Sequence, residues 1–260
     1  MNIQNYVIPQ TIEEAYKLVQ TGGRIISGGA FVCTSNAKVD TVVDLRDLGL
    51  NFINEYEDRI EIGPATTLRE VETSKILNGN FNGYFENAIG RILGIQLRNL
   101  ATIGGSICGR YGFSDVICSL SALNVTLEFH NYGEISLDDF IARPSVKRDI
   151  LKKIIIEKNN IKASYEALRH SNGDFPMITC SVSNLNGKYK VIVGCRPLIA
   201  AQAEDCMAIL NSGKELTEKV IDEAMLALDN LAYGNNYTAT KEYRQQVAKV
   251  IVKRCLMEVM

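Results

Sequence analysis

Histidine is almost missing from this chain, and its cysteines never come in close pairs. The 260 residues hold two histidines, His130 and His170, and seven scattered cysteines at positions 33, 108, 118, 180, 195, 206 and 255, with no C-x-x-C motif. A tetrahedral zinc site or an iron–sulfur cluster needs several clustered thiolates or imidazoles, so no metal ligand is expected here. A G-x-S-x-G elbow and a Walker loop are also missing, which removes two common routes to acyl and phosphoryl transfer. Any difficult chemistry is expected to reside in a bound organic cofactor. No residue is assigned as a catalytic acid, base or nucleophile.

An excess of positive charge is lacking too. Lys and Arg number 28 against 30 Asp and Glu, a net charge of −2, so no basic field exists to hold nucleic acid or an anionic membrane. No apolar run approaches the ~18 residues of a membrane helix. The first residues, MNIQNYVIPQ, do not show the charged-then-apolar pattern of a secretory signal. The odd set of cysteines is therefore read as reduced thiols of a cytoplasmic protein. Internal repeats and low-complexity segments are not visible.

What is present reads as short α+β units. Thr11-x-x-Glu14 has capping-box spacing and opens a helix with Ile12, Ala15, Leu18 and Val19 on one face. Gly22-Gly23 stops it, and a short buried strand, Arg24 to Ser27, ends at Gly28-Gly29. Strands are expected at Thr41 to Leu45 and Arg59 to Ile62, and Thr67 with Glu70 has capping-box spacing again. An apolar helical run begins near Val116, two strands flank Asn131-Tyr132-Gly133, and Lys152 to Glu157 is a β-branched strand. Asn159-Asn160 is the expected boundary. Beyond it, Ile178 to Asn184 and Tyr189 to Gly194 alternate around Asn186-Gly187, the pattern of a type I′ hairpin. Helices are expected at Thr217 to Asn230 and from Thr240 onward, the latter with Tyr243, Val247, Val250, Ile251 and Cys255 on one face. Strands followed by helices suggest a separate small α+β layer.

The two glycine pairs, Gly28-Gly29 and Gly104-Gly105, allow two readings. Each can be a tight turn that needs positive φ. Each also follows an apolar stretch and neighbours hydroxyl residues, and consecutive amides without Cβ atoms can form an anion-binding nest. Two such nests would suit a pyrophosphate. Neither pair fits G-x-G-x-x-G, so the usual Rossmann unit is not expected.

The run Gln96-Leu97-Arg98-Asn99-Leu100-Ala101-Thr102-Ile103-Gly104-Gly105-Ser106 closely resembles the Q-x-R-N-x-A-T-[IL]-G-G-N signature of the molybdenum hydroxylase flavoprotein subunits, the FAD-binding medium chains of the xanthine dehydrogenase and carbon monoxide dehydrogenase type. Ile26-Ser27-Gly28-Gly29 resembles the family's earlier A-G-G loop. Asp115 stands where the family has an aspartate, and Ser121 to Val125 resembles the stretch after it. Tyr165 to Val182 is similar to the start of the family's C-terminal domain. Tyr243 to Arg254 is similar to its closing helix. The resemblance runs in order along nearly the whole chain.

It implies an α+β fold. A two-lobed PCMH-type FAD-binding domain (residues 1–158, lobes about 1–55 and 56–158) precedes a small domain of antiparallel sheet plus helices (159–260). It also implies FAD as cofactor. The site residues carried over are Arg24, Ile25, Ile26, Ser27, Gly28, Gly29, Ala30, Phe31 and Val32 from the first loop, then Thr102, Ile103, Gly104, Gly105, Ser106 and Cys108 from the second. Asp115, Ile150 and Leu151 complete the set. Asp115 suits a ribose or adenine group; on its own, it reads equally as a cap ahead of Val116. Tyr111 and Phe113 are read either as rings against the cofactor or as core.

Partners implied are a molybdopterin-binding large subunit, a [2Fe–2S] small subunit, and NAD or another electron acceptor. Substrate selection would then lie in another chain, leaving xanthine, another purine, nicotinate and an aromatic thioester equally compatible. Three departures from the family pattern, Ala30, Phe31 and Ala167, support the alternative of a scaffold subunit with weakened or lost FAD binding. A stand-alone flavin reductase is the third reading.

Overall fold

The computed structural model describes residues 2–34, 38–142 and 148–260, which form three sheets. The first lobe holds β1 (Asn2–Val7), α1 (Ile12–Gln20), β2 (Arg24–Ile26) and β3 (Lys38–Asp44), in a parallel sheet of order β1-β3-β2. Thr11 caps α1 by accepting from the Glu14 amide at 3.1 Å. The return arm differs from the expected box, because Glu14 accepts from the Gln10 amide instead. Ala15 and Val19 face the sheet and join Val43, Leu45 and Leu50 in a small core.

The second lobe begins with β4 (Ile53–Glu55) and β5 (Arg59–Ile62). Six short helices follow: α2 (Leu68–Thr73), α3 (Lys75–Asn80), α4 (Tyr84–Ile89), α5 (Ile95–Arg98), α6 (Ile103–Gly109) and α7 (Asp115–Ser121). β6 (Val125–Phe129), β7 (Gly133–Ser136), α8 (Leu137–Ala142) and β8 (Leu151–Glu157) complete it. Its sheet is antiparallel, ordered β4-β5-β8-β6-β7. Thr67 and Glu70 form the complete capping box of α2. The sheet and helices share one core, with Ile60, Ile62, Leu127, Ile154 and Ile156 against Leu77, Phe85, Ile103 and Ile117.

The third unit holds β9 (Lys162–Leu168), β10 (Ile178–Leu185), β11 (Lys188–Gly194) and β12 (Ala201–Gln202), antiparallel in the order β12-β11-β10-β9. α9 (Glu204–Leu210), α10 (Glu218–Leu226) and α11 (Lys241–Val259) follow. Asn186 and Gly187 both have positive φ, 52° and 85°, the geometry of the expected I′ turn. Side chains alternate across β10. Ile178, Cys180 and Val182 face the helices, while the buried hydroxyls of Ser181 and Ser183 tie the sheet to the second lobe. Ser183 Oγ donates to the Ala122 carbonyl, and Ser181 Oγ bonds the Tyr84 hydroxyl.

The buried face of α11 differs from the expected one. Ile251 and Cys255 are buried, but Tyr243 and Val250 stand about half exposed, and Arg244 takes the inner position with 1% exposure. Its guanidinium donates to the carbonyls of Met177, Gly234 and Ala239 and to Asn236 and Thr238. A side chain with five donors can be buried without a carboxylate when carbonyls surround it.

Candidate functional site

All three units meet at a cavity of about 460 Å³. Its floor is formed by two loops packed against each other. In the first, Gly28 and Gly29 have φ of +70° and +75°. A Cβ at Gly28 would collide with the Leu100 carbonyl oxygen at 1.8 Å, and one at Gly29 would press on Ile26 and Cys33 at 2.7 and 2.8 Å. Both glycines are therefore required by the protein's own packing. No acceptor among the described residues meets the amides of Gly28 and Ala30.

The second loop is organised differently from the expected nest. Thr102 caps α6, its Oγ1 accepting from the Gly105 amide at 3.2 Å. The Ile103 amide donates to Thr66 O and the Gly104 amide to Pro64 O, each at 2.9 Å. The Ser106 hydroxyl donates to Thr102 O. The amides of the second glycine pair are thus spent within the fold, because the loop must also dock onto the Gly63–Thr66 turn. Gly104 is needed there, since a Cβ would stand 2.4 Å from Pro64 Cβ. Gly105 is the exception. It is exposed, and a Cβ would meet only Thr102 Oγ1 at 3.0 Å and Ser27 O at 4.0 Å. Its bare side borders the cavity.

Apolar walls rise from Ile25, Ile26, Leu45, Leu50, Ile92, Leu93, Leu97 and Leu151. One end is aromatic. Phe31 lies 4.9 Å from Tyr111 and 5.4 Å from Phe113, Tyr111 and Phe113 stack at 5.1 Å, and Phe175 meets Phe113 at 4.7 Å. Arg24, Ser27, Gly29, Ala30, Val32, Thr102, Gly104, Ser106, Cys108 and Asp115 also border the space.

Three expected residues stand off the wall. Ile103 is buried in the second lobe's core, Ile150 joins the small core of the first lobe, and Gly28 is consumed in packing on Leu100. Asp115 does not cap α7; Ser114 does, accepting from Ile117 N. The Asp115 carboxylate instead accepts from the Tyr165 hydroxyl and from Arg169 Nη2, both in the third unit. Burial pushes its carboxyl up, opposed by Arg169 and Tyr165.

Sequence reasoning missed Arg169, Asp174 and Phe175, which bring the third unit to the cavity. They lie in the stretch that resembles the family, but nothing in their spacing marks them as lining a site. Ala167 packs against the second lobe's core. His170 is exposed and bonds Thr238 O, and the His130 ring lies tilted against Tyr16, with centroids 5.1 Å apart. Among the described residues no cluster of three metal-ligating side chains occurs, and no helix is long and apolar enough to cross a membrane.

Two lobes and a sheet-plus-helices unit thus enclose a glycine-floored, apolar-walled cavity with aromatic rings at one end. Residues 1–158 match the model of the FAD binding domain in molybdopterin dehydrogenase, and residues 163–259 match that of the CO dehydrogenase flavoprotein C-terminal domain. The chain belongs to this family of molybdenum hydroxylase FAD subunits. The nicotinate dehydrogenase FAD-subunit of Eubacterium barkeri is 23% identical over 262 residues, covering 88% of this chain and 86% of the relative. The glyceraldehyde dehydrogenase medium chain of Sulfolobus acidocaldarius is 23% identical over 279 residues, covering 98% of each. Reconstituted CO dehydrogenase from Oligotropha carboxidovorans shares the fold, with a TM-score of 0.87 at 22% identity over 100% of this chain and 98% of that one.

Proposed function

We propose that this chain is the electron-transfer subunit of a molybdopterin-dependent hydroxylase or dehydrogenase. In this reading, FAD in the 460 Å³ cavity takes electrons from [2Fe–2S] clusters of a small partner subunit and passes them to NAD or another acceptor. A large molybdopterin-binding partner oxidises the substrate. The observation that carries the reading is Gly105, an exposed glycine at the cavity edge where a Cβ would meet only Thr102 Oγ1 at 3.0 Å and Ser27 O at 4.0 Å.

The residues present suit FAD. The amide of Ala30 is available to phosphate oxygens, and Thr102, whose hydroxyl lies 3.5 Å from Ser27 O in the same loop, also borders the cavity. Arg24, exposed at the start of β2, supplies a cation near the same loop. Leu93, Leu97 and Leu151 offer an apolar bed, and Phe31, Tyr111, Phe113 and Phe175 exclude water from one end. Bound there, FAD supplies the redox chemistry; the protein orients it and tunes it by hydrogen bonding and burial.

The test is an absorbance spectrum and FAD titration of the purified chain, followed by turnover assays with and without partners. The expected result is bound flavin, dye reduction by the isolated chain at most, and substrate oxidation only after both other subunits are added. A folded chain that takes up no FAD would instead be a scaffold subunit, as Ala30 and Phe31 in place of hydrogen-bonding residues would favour. Dye reduction with NADH at full rate in the absence of partners would make it a stand-alone reductase.

A further inference from the structure

A buried ion pair links the third unit to the cavity. Asp115 opens α7 with 4% exposure, and the Arg169 side chain, 54 residues later, is 6% exposed. Arg169 Nη2 donates to Asp115 Oδ1, which also accepts from Tyr165. Nη1 turns the other way and donates to the Asp174 carbonyl at 2.7 Å. Nε, buried, has no acceptor among the described residues. Arg244 gives the contrast, for its Nε and both Nη groups all have acceptors. The orientation of Arg169 is set by its two outer contacts at the expense of the third.

Those contacts span a gap. Asp115 belongs to the second lobe, whereas Asp174 sits in a turn between β9 and β10, closed by Ser171 Oγ on Asp174 Oδ2 at 2.8 Å and by Gly173 at φ +87°. Phe175 is the next residue, and its ring meets Phe113 at 4.7 Å and Phe31 at 6.3 Å. A planar guanidinium can hold a carboxylate and a carbonyl at fixed angles at once, which a lysine cannot.

We propose that Arg169 is a positioning residue. Clamped by Asp115, it holds the Ser171–Phe175 turn so that Phe175 closes the aromatic end of the cavity. The cofactor site is then completed only when the third unit is docked on the second lobe. The proposal rests on the FAD reading for its consequence, but its geometry can be tested without FAD.

The chain contains no tryptophan, so Phe175→Trp installs a unique fluorophore on the turn. In the apoprotein its emission should be blue-shifted and poorly quenched by acrylamide, as for a ring packed on Phe31 and Phe113. Adding Arg169→Met, or Asp115→Asn as the milder isosteric change, should shift emission to the red and raise the quenching constant roughly twofold or more by local loosening. Circular dichroism identifies variants that remain folded, and Asp115→Asn serves if Arg169→Met does not. In the second arm, Arg169→Met and Phe175→Ala should each weaken FAD about tenfold. The double variant should be no weaker than either single one, because both changes remove the same contact.

Unchanged emission and quenching in folded Arg169→Met and Asp115→Asn would overturn the proposal, as would losses of FAD affinity that multiply in the double variant. If parent protein and Phe175→Trp protein both fail to bind FAD while the fluorescence arm behaves as stated, the clamp stands and the FAD reading falls.

Discussion

Arg98 and Glu72 form a buried, two-pronged ion pair: Nε donates to Oε2 at 2.7 Å and Nη2 to Oε1 at 3.2 Å. The same guanidinium donates through Nη1 to the carbonyls of Ile92 at 3.0 Å and Leu93 at 3.3 Å. Leu93 has φ of +46°, a conformation costly for a branched residue, and it borders the cavity. The arginine of the Q-x-R-N signature therefore acts from behind the site. It ties α2 to α5 and holds a strained turn in the wall. Removing Arg98 leaves Glu72 with Arg69, whose Nη1 donates to Oε1 at 2.6 Å, so the loss falls short of the about 3–5 kcal/mol of a buried charge left with no partner. Arg98→Met should still lower the unfolding midpoint in denaturant, because the carbonyls of Ile92 and Leu93 lose their donor as well, with FAD affinity falling as a consequence. Wild-type stability in that variant would show that the pair is idle.

The same pair sets an acid limit. Burial by itself raises the Glu72 carboxyl, but Arg98 and Arg69 outweigh it and hold the group below its ordinary value. The native state then binds this proton less readily than the unfolded chain does. Its contribution is full above the unfolded glutamate pKa of about 4.3 and is lost as pH falls through the depressed native value. Thermal midpoints measured from neutral to acid pH should drop in that window. Glu72→Gln, already lacking the charge, should be less stable at neutral pH and flatter through the window. A parallel pH profile in the variant would assign the acid sensitivity elsewhere.

Thiol chemistry offers an independent view of the cavity. Cys33 and Cys108 are exposed, while Cys118, Cys180, Cys195, Cys206 and Cys255 are buried, and burial pushes Cys118 and Cys206 up to about 12. Native protein should accept alkylation at two positions, read by mass spectrometry of the intact chain and its peptides. Since Cys108 borders the cavity and Cys33 does not, saturating FAD should protect Cys108 alone. Equal protection of both, or of neither, contradicts the placement of FAD.

The elements with strong local signals were legible in the sequence: the Asn186-Gly187 hairpin, the Thr67–Glu70 box and the alternation of β10 all rest on chemistry within a few residues. The face of α11 was not, because a buried Arg244 satisfied by carbonyls carries the same letter as a solvated one. Much of the site was legible as two glycine loops. The direction of their amides was not, since Pro64 and Thr66 supply the acceptors from about forty residues earlier. Nor was the wall made by Arg169, Asp174 and Phe175 legible, for it exists only once the third unit docks.

Neighbouring glycines should fail for opposite reasons. At Gly104 a Cβ would press into Pro64 at 2.4 Å, with Pro64 O at 2.7 Å. Gly104→Ala should therefore cost about 1–3 kcal/mol of stability, as overpacked sites do, and lose FAD only as far as the fold suffers. At Gly105 the side chain enters the cavity instead. Gly105→Asp adds a charge where phosphate oxygens would sit, a repulsion of roughly 4 kcal/mol per unit charge at 4 Å and an effective dielectric of 20. That corresponds to about a thousandfold in affinity, so the variant should be colourless; it should stay folded, with a smaller loss of stability than Gly104→Ala, since only Thr102 Oγ1 at 3.0 Å must give way. Equilibrium unfolding and flavin stoichiometry, measured on both variants, separate the two effects. If folded Gly105→Asp protein keeps a full complement of FAD, the second loop is a turn that serves the packing of Gly104 on Pro64, and the cofactor lies elsewhere.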